Sequence, residues 1–106
     1  MEKSMKVEQF YNKNQFVILG NGQTVFQSYE STIAIIDQEN GLTLGHDWDY
    51  SKTTMKHLYL FLVDYKVRYA FTELRHGIES ALNSSNKRKA LQDLIDKGII
   101  NYDKNL

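Results

Sequence analysis

The stretch Gly45–Leu62, GHDWDYSKTTMKHLYLFL, decides the fold, because the periodicity of the chain changes inside it. Met55, Leu58, Tyr59, Leu62 and Tyr65 recur at the spacing of one helix face. Upstream, the apolar residues come in short β-branched runs instead. Between the two regimes stand His46, Asp47, Asp49, the only Trp, Ser51, Thr53 and Thr54. Such residues start helices: Asp49 or Ser51 is placed to act as N-cap, and the Thr hydroxyls can reach the first free amides. The stretch therefore reads as a sheet-to-helix junction pinned by Trp48 and Tyr50.

Working back from the junction, LTLG at 42–45 is a short strand, and QENG at 38–41 is a turn with Asn40-Gly41 as its pair. TIAIID at 32–37 is a β-branched run, buried on at least one face. QFVIL, GNG and TVFQSY form a hairpin in which Gly20, Asn21 and Gly22 supply positive φ. Strand alternation keeps Phe26 and Tyr29 off the same face. KVEQFY at 6–11 adds a strand in front, giving an antiparallel meander of three to five strands.

Working forward, Val67, Phe71, Leu74, Ile78 and Leu82 continue a second helical stripe. The break between the helices is expected near residues 65–68, and Gly77 is a point where the second helix bends or stops. NSSN ends that helix, with Ser85 or Asn86 capping the next one. KRKALQDLIDK turns Ala90, Leu91, Leu94 and Ile95 inward. Gly98 stands where a left-handed C-cap belongs, with apolar Ile99 after it. IINY is a candidate edge strand before a polar tail. The expectation is one α+β domain spanning 1–106: a meander over 6–45, two or three helices within 51–97 on one sheet face, and a C-terminal tail at 98–106.

Composition narrows the function classes. With no Cys among 106 residues, disulfides, thiolate metal sites and cysteine nucleophiles are all excluded. That fits a cytoplasmic setting, as does the lack of a secretory leader or an apolar run long enough for a membrane. Net charge is zero but unevenly laid out: residues 1–49 sum to −4 and residues 50–106 to +4. An acidic half joined to a basic half suits a partner with complementary patches, and also suits acid-rich strands followed by base-rich helices.

Several constellations invite a chemical reading. His46, Asp47 and Asp49 have donor types for a divalent ion, but three neighbours in a loop are not a convergent ligand set, so no metal is expected. Thr53 and His57 are one helical turn apart, yet nothing orients the imidazole and no oxyanion site is evident. No catalytic residue and no cofactor is expected, and the chain reads as a non-enzyme. GNG joins strand to strand and lacks the lysine of a phosphate loop. Lys87, Arg88 and Lys89 start a helix, where cations oppose the dipole. With Lys97 they make a basic patch for a protein or nucleic acid. Glu30, Asp37, Glu39, Asp47 and Asp49 make the acidic patch. Seven Tyr, five Phe and one Trp exceed what one small core needs, and exposed Tyr suits protein contact.

The blocks VFQSYESTIAII and LTLGHDWDYSKTTMKHLYLFL resemble a family of short uncharacterised proteins of Firmicutes plasmids, prophages and other mobile elements. The shared pattern falls on Phe26–Tyr29, Ile33–Ala34, Leu44–Gly45, Trp48–Ser51, Thr53–Thr54 and Phe61–Leu62, within residues 6–62. The resemblance implies no catalytic residues. It implies a protein-binding module of a mobile element, with inhibition of a host defence nuclease (an anti-CRISPR activity against Cas9 or its guide-RNA complex) as the specific expectation. The acidic patch would then mimic phosphate against a basic groove. The alternative is a small nucleic-acid-binding accessory protein of a plasmid or phage. Either acts as a monomer, or as a homodimer paired through an exposed sheet edge.

Overall fold

The computed structural model of the chain describes residues 6–65 and 71–106. It is an α+β fold in which six strands form one sheet and three helices cover one of its faces. Strands β1 (Lys6–Phe10), β2 (Asn12–Gly20), β3 (Gln23–Ser28), β4 (Ser31–Asp37) and β5 (Gly41–Gly45) run as an antiparallel meander in sequence order. Helices α1 (Lys52–Asp64), α2 (Thr72–Leu82) and α3 (Lys87–Asp96) follow. Strand β6 (Asn101–Asp103) returns to pair parallel with β5. The expected C-terminal tail at 98–106 thus includes a strand of the sheet.

Local chemistry explains the corners. Asn21 and Gly22 take positive φ at the β2–β3 turn, whereas Gly20, expected to share it, ends β2 and does not. At the β4–β5 turn the Asp37 carboxylate accepts the backbone N–H of Glu39 at 2.7 Å, and Gly41 takes φ 80°. Helix α1 is capped by Ser51, whose hydroxyl oxygen accepts the N–H of Thr54 at 3.1 Å. Asn86 caps α3 by accepting from the N–H of Lys89. Gly98 takes φ 77° after α3, and Ile99 N–H donates back to the Leu94 carbonyl, the expected αL closure.

The core lies between the sheet and the helices. Val17, Phe26, Ala34, Ile36, Leu42 and Leu44 from the strands meet Leu58, Phe61, Leu62, Leu74, Ile78 and Leu91 from the helices. Phe61 stacks on Phe26 with centroids 5.2 Å apart, and Phe10 meets Phe26 edge-on at 5.6 Å. Such contacts add about 0.5–1.5 kcal/mol each beyond burial.

Three expectations are corrected. The inward face of α1 is rotated from the apolar stripe: Thr54 and His57 are buried with Leu58, Phe61 and Leu62, while Met55 and Tyr59 are half-buried. Burial is tolerated because both polar residues are satisfied. Thr54 Oγ1 accepts from Ser51, and His57 Nδ1 donates to the Thr53 carbonyl at 2.9 Å. Gly77 neither bends nor ends α2, which runs through it to Leu82. Its lack of a side chain lets α3 approach instead, since a Cβ there would lie 3.1 Å from Leu94 Cδ2. Asp49 does not cap α1. Helix α1 ends at Asp64 and α2 begins at Thr72; Val67, Tyr69 and residues 66–68 of the expected break lie outside the described residues. Among the described residues no helix is long and apolar enough to cross a membrane.

Candidate functional site

The two blocks that the sequence reading singled out meet in space. The β3–β4 turn carries Ser28, Tyr29, Glu30 and Ser31, and it lies beside the β5–α1 junction because β4 and β5 pair in register up to Ala34 and Leu44. Ser31 Oγ donates to Asp47 Oδ2 at 2.9 Å and locks turn to junction. Between them opens a cleft of ≈ 470 Å³ lined by Ser28, Tyr29, Ser31, Ile33, Asp47, Tyr50 and Thr54.

The rim is aromatic and exposed. Tyr50 is 80% exposed and Tyr29 63%. Tyr29 sits at φ 54°, a conformation that costs a non-glycine residue about 1–2 kcal/mol. It is held there at both ends: the Tyr29 N–H donates to the Asn14 carbonyl at 2.7 Å, and Gln27 Nε2 donates to the Tyr29 carbonyl at 3.2 Å. Tyr11, also exposed, takes the same left-handed conformation at φ 62°, and a glycine would satisfy either backbone without strain.

The cleft is acidic. Asp47 accepts from Ser31 through Oδ2, while Oδ1 stands 2.9 Å from His46 Nδ1. The Ser31 hydroxyl and then the His46 imidazole hold the Asp47 carboxyl below the usual carboxylate range. Asp47 therefore stays ionised at neutral pH. The order is Ser–Asp–His, with the carboxylate in the middle. A nucleophile needs the imidazole on the hydroxyl, and here His46 faces Asp47 while His57 is bonded to a carbonyl.

The five predicted acids separate into groups. Asp47 lines the cleft, while Glu30, in the adjoining β3–β4 turn, lines a second hollow with Asn14, Phe16, Tyr29 and Ser31. Asp37 and Glu39 occupy the β4–β5 turn, about 20 Å away along β4. There Asp37 builds the turn, with the Glu39 N–H and then the Gln23 amide lowering its pKa. Asp49 faces α3. Its Oδ2 accepts from Arg88 Nη2 at 2.8 Å and Nε at 3.1 Å, and the guanidinium carbon stands 6.0 Å from the buried Trp48 ring. Arg88 thus ties α3 to the junction. Lys87 and Lys89 remain beside it in the first turn, and Lys97 lies about 15 Å further along the helix. The acids thus fall into separate places, while Lys87, Arg88 and Lys89 stay together at the start of α3 with Lys97 at its end. Among the described residues no three His, Asp or Glu gather as metal ligands.

The Asp49–Arg88 and Ser31–Asp47 pairs escaped the sequence reading, being 39 and 16 residues apart with no periodic signal. Gln15 escaped it too. It is 1% exposed opposite Ser28, and its Oε1 has no hydrogen-bond partner.

No curated protein and no solved structure matches this chain. One family profile does, over residues 3–90, which takes in β1–β5, the cleft, α1, α2 and the start of α3. The chain belongs to the family of unknown function DUF8033.

Proposed function

We propose that the protein is a non-enzymatic protein-binding module that presents the tyrosine-rimmed cleft to a basic partner surface. The strained, exposed Tyr29 beside the ionised Asp47 carries the reading. Tyr29 and Tyr50 offer faces for cation–π contact with Lys or Arg, and Asp47 and Glu30 supply the matching charge. A nucleic-acid groove of a host nuclease has that chemistry, so inhibition of a Cas9-type complex is the specific form we propose. The mobile-element resemblance supports it. Glu30 and Asp47 would engage the groove, with Asp37 and Glu39 at the far end as a separate contact.

The test is binding of the purified protein to a Cas9–guide RNA complex after nuclease treatment, with Tyr50→Ala and Glu30→Lys beside the wild type. Binding that both variants weaken at least tenfold supports the proposal. Absence of wild-type binding removes the Cas9 form, and binding that neither variant alters removes the cleft. The second reading is nucleic-acid binding through Lys87, Lys89 and Lys97, favoured by two exposed or half-buried cations kept where the α3 dipole opposes them. It requires retention on nucleic acid that weakens steeply with salt and is lost in Lys87→Glu/Lys89→Glu.

A further inference from the structure

Among the described residues, Gln15 Oε1 is the buried side-chain oxygen or nitrogen that the fold leaves without a hydrogen bond. An orphan acceptor costs stability that an apolar residue of similar size would not. Register sets Gln15 directly opposite Ser28, and cross-strand partners project to the same face. Gln15 stands two residues before core Val17, so that face is the helix side. Ser28 lines the cleft, and paired Cα atoms lie about 5 Å apart, so the longer glutamine side chain runs alongside Ser28 at the end of the cleft away from solvent. At the mouth the cleft also offers acceptors. Ser31 gives its proton to Asp47 Oδ2, and His46 Nδ1 stands against Oδ1. A carboxylate has about four lone-pair sites, so each Asp47 oxygen keeps one open.

We propose that the cleft is a socket for an arginine side chain of the partner, with Asp47 receiving the guanidinium at the mouth and Gln15 Oε1 receiving it at the inner end. The inference rests on the cleft being the partner-binding site and names what enters it. Charge and acceptors together call for a cation rich in donors. A lysine ammonium gathers its donors on one atom and serves Asp47 or Gln15, whereas a guanidinium spreads its five N–H donors around a plane and serves both. That plane also lies flat against exposed phenol rings, which Tyr29 and Tyr50 supply at the rim, and it is more weakly hydrated than an ammonium. At ≈ 470 Å³ the cleft admits one long side chain. Gln15 then sets specificity. Its carbonyl is unanswered in the free protein and is answered when the guanidinium arrives, and a cation that cannot reach it leaves it orphaned.

Proton–nitrogen NMR spectra of the full chain, titrated with acetyl-arginine amide, test the socket without any partner protein. The expected result is saturable shifts of the Ser28, Ser31 and Asp47 amides at low-millimolar probe, with acetyl-lysine amide about fivefold weaker or worse. Gln15→Met should weaken arginine binding by about fivefold or more while raising the urea midpoint, because the orphan acceptor is gone. Asp47→Asn keeps an oxygen for Ser31 and loses the charge; it should weaken binding as much, and it carries the test if Gln15→Met does not fold. Absence of shifts up to about 20 mM probe overturns the proposal, as does equal binding of the lysine probe. So does a folded Gln15→Met or Asp47→Asn that binds arginine as the wild type does. The two levels separate cleanly. A cleft silent to arginine, in a protein whose binding to the Cas9–guide RNA complex still depends on Tyr50, overturns the socket alone. Arginine binding without binding to that complex supports the socket and removes only the Cas9 form.

Discussion

Gly45 closes β5 just before the junction, and replacing it with Ala tests the packing on which the cleft depends. Its φ is not in the left-handed region, so the backbone tolerates any residue. The obstacle is space. A Cβ there would overlap the Thr32 carbonyl oxygen of β4 and stand 3.0 Å from the Leu106 Cβ on the other side. Thr32 sits in a paired strand, so main chain must move, and β4 and β5 must part where Ser31 reaches Asp47. Overpacking costs about 1–3 kcal/mol, and a main-chain obstacle puts Gly45→Ala near 3 kcal/mol. For a domain of this size that lowers Tm by roughly 12–24 °C. Gly22→Ala and Gly98→Ala are the controls. Nothing lies within 4 Å of either added Cβ, and each is strained only through φ of 74° or 77°, about 1 kcal/mol. Urea and thermal unfolding followed by Trp48 fluorescence and far-UV circular dichroism measure all three. If Gly45→Ala is no worse than Gly22→Ala, the close approach of β4 to β5 is wrong, and the cleft geometry with it.

Four further outcomes are expected. Ser51→Ala should destabilise by about 1 kcal/mol through loss of the α1 cap, read from urea midpoints. A double-mutant cycle on Asp49→Ala and Arg88→Ala should give a coupling of about 0.5–1 kcal/mol that shrinks in high salt, whereas Ser51→Ala should couple to neither. Asp37 and Asp47 titrate below their unfolded-state value of about 3.9, so the stability they lend is complete above that pH and is lost as pH falls through their folded-state values. Urea midpoints from pH 6 to pH 2 should therefore drop below about pH 4, and Asp37→Asn with Asp47→Asn should flatten the drop. Tyr29→Gly should raise stability by about 1 kcal/mol by relieving the left-handed backbone, while weakening partner binding. A variant that loses stability would mean that Tyr29 is structural.

Much of the fold was legible because it is written locally. Asn21-Gly22 needs no partner to turn the chain, and Gly98-Ile99 closes α3 with its own carbonyls. The change of period after Gly45 separates sheet from helices. Features that depend on what a residue faces were not legible. Asp49 and Ser51 are equally good caps by type, and only Arg88, arriving from α3, draws Asp49 away. Gly77 reads as a breaker until α3 is placed against it. Tyr29 gives no hint of positive φ, since strand alternation says only that it departs from the face of Phe26. The cleft was half visible. Its two walls were singled out as sequence blocks, but Ser31, which joins them, was not. The acidic patch was a composition of residues near in sequence that β4 holds at opposite ends.

Strand β6 gives the molecule an order of assembly. Asn101 donates to the Asn40 carbonyl at 2.7 Å, 61 residues earlier in the chain. The hairpins of the meander pair with neighbours just made, whereas β5 keeps a bare edge until three helices have been synthesised and docked. At translation rates of about 5–20 residues per second that wait lasts roughly 3–12 s. Over this interval the β5 amides and carbonyls are open to any passing strand. Until Asn101–Asp103 pairs with it, β5 is a second open edge beside that of β1, and the three-residue strand is what closes it.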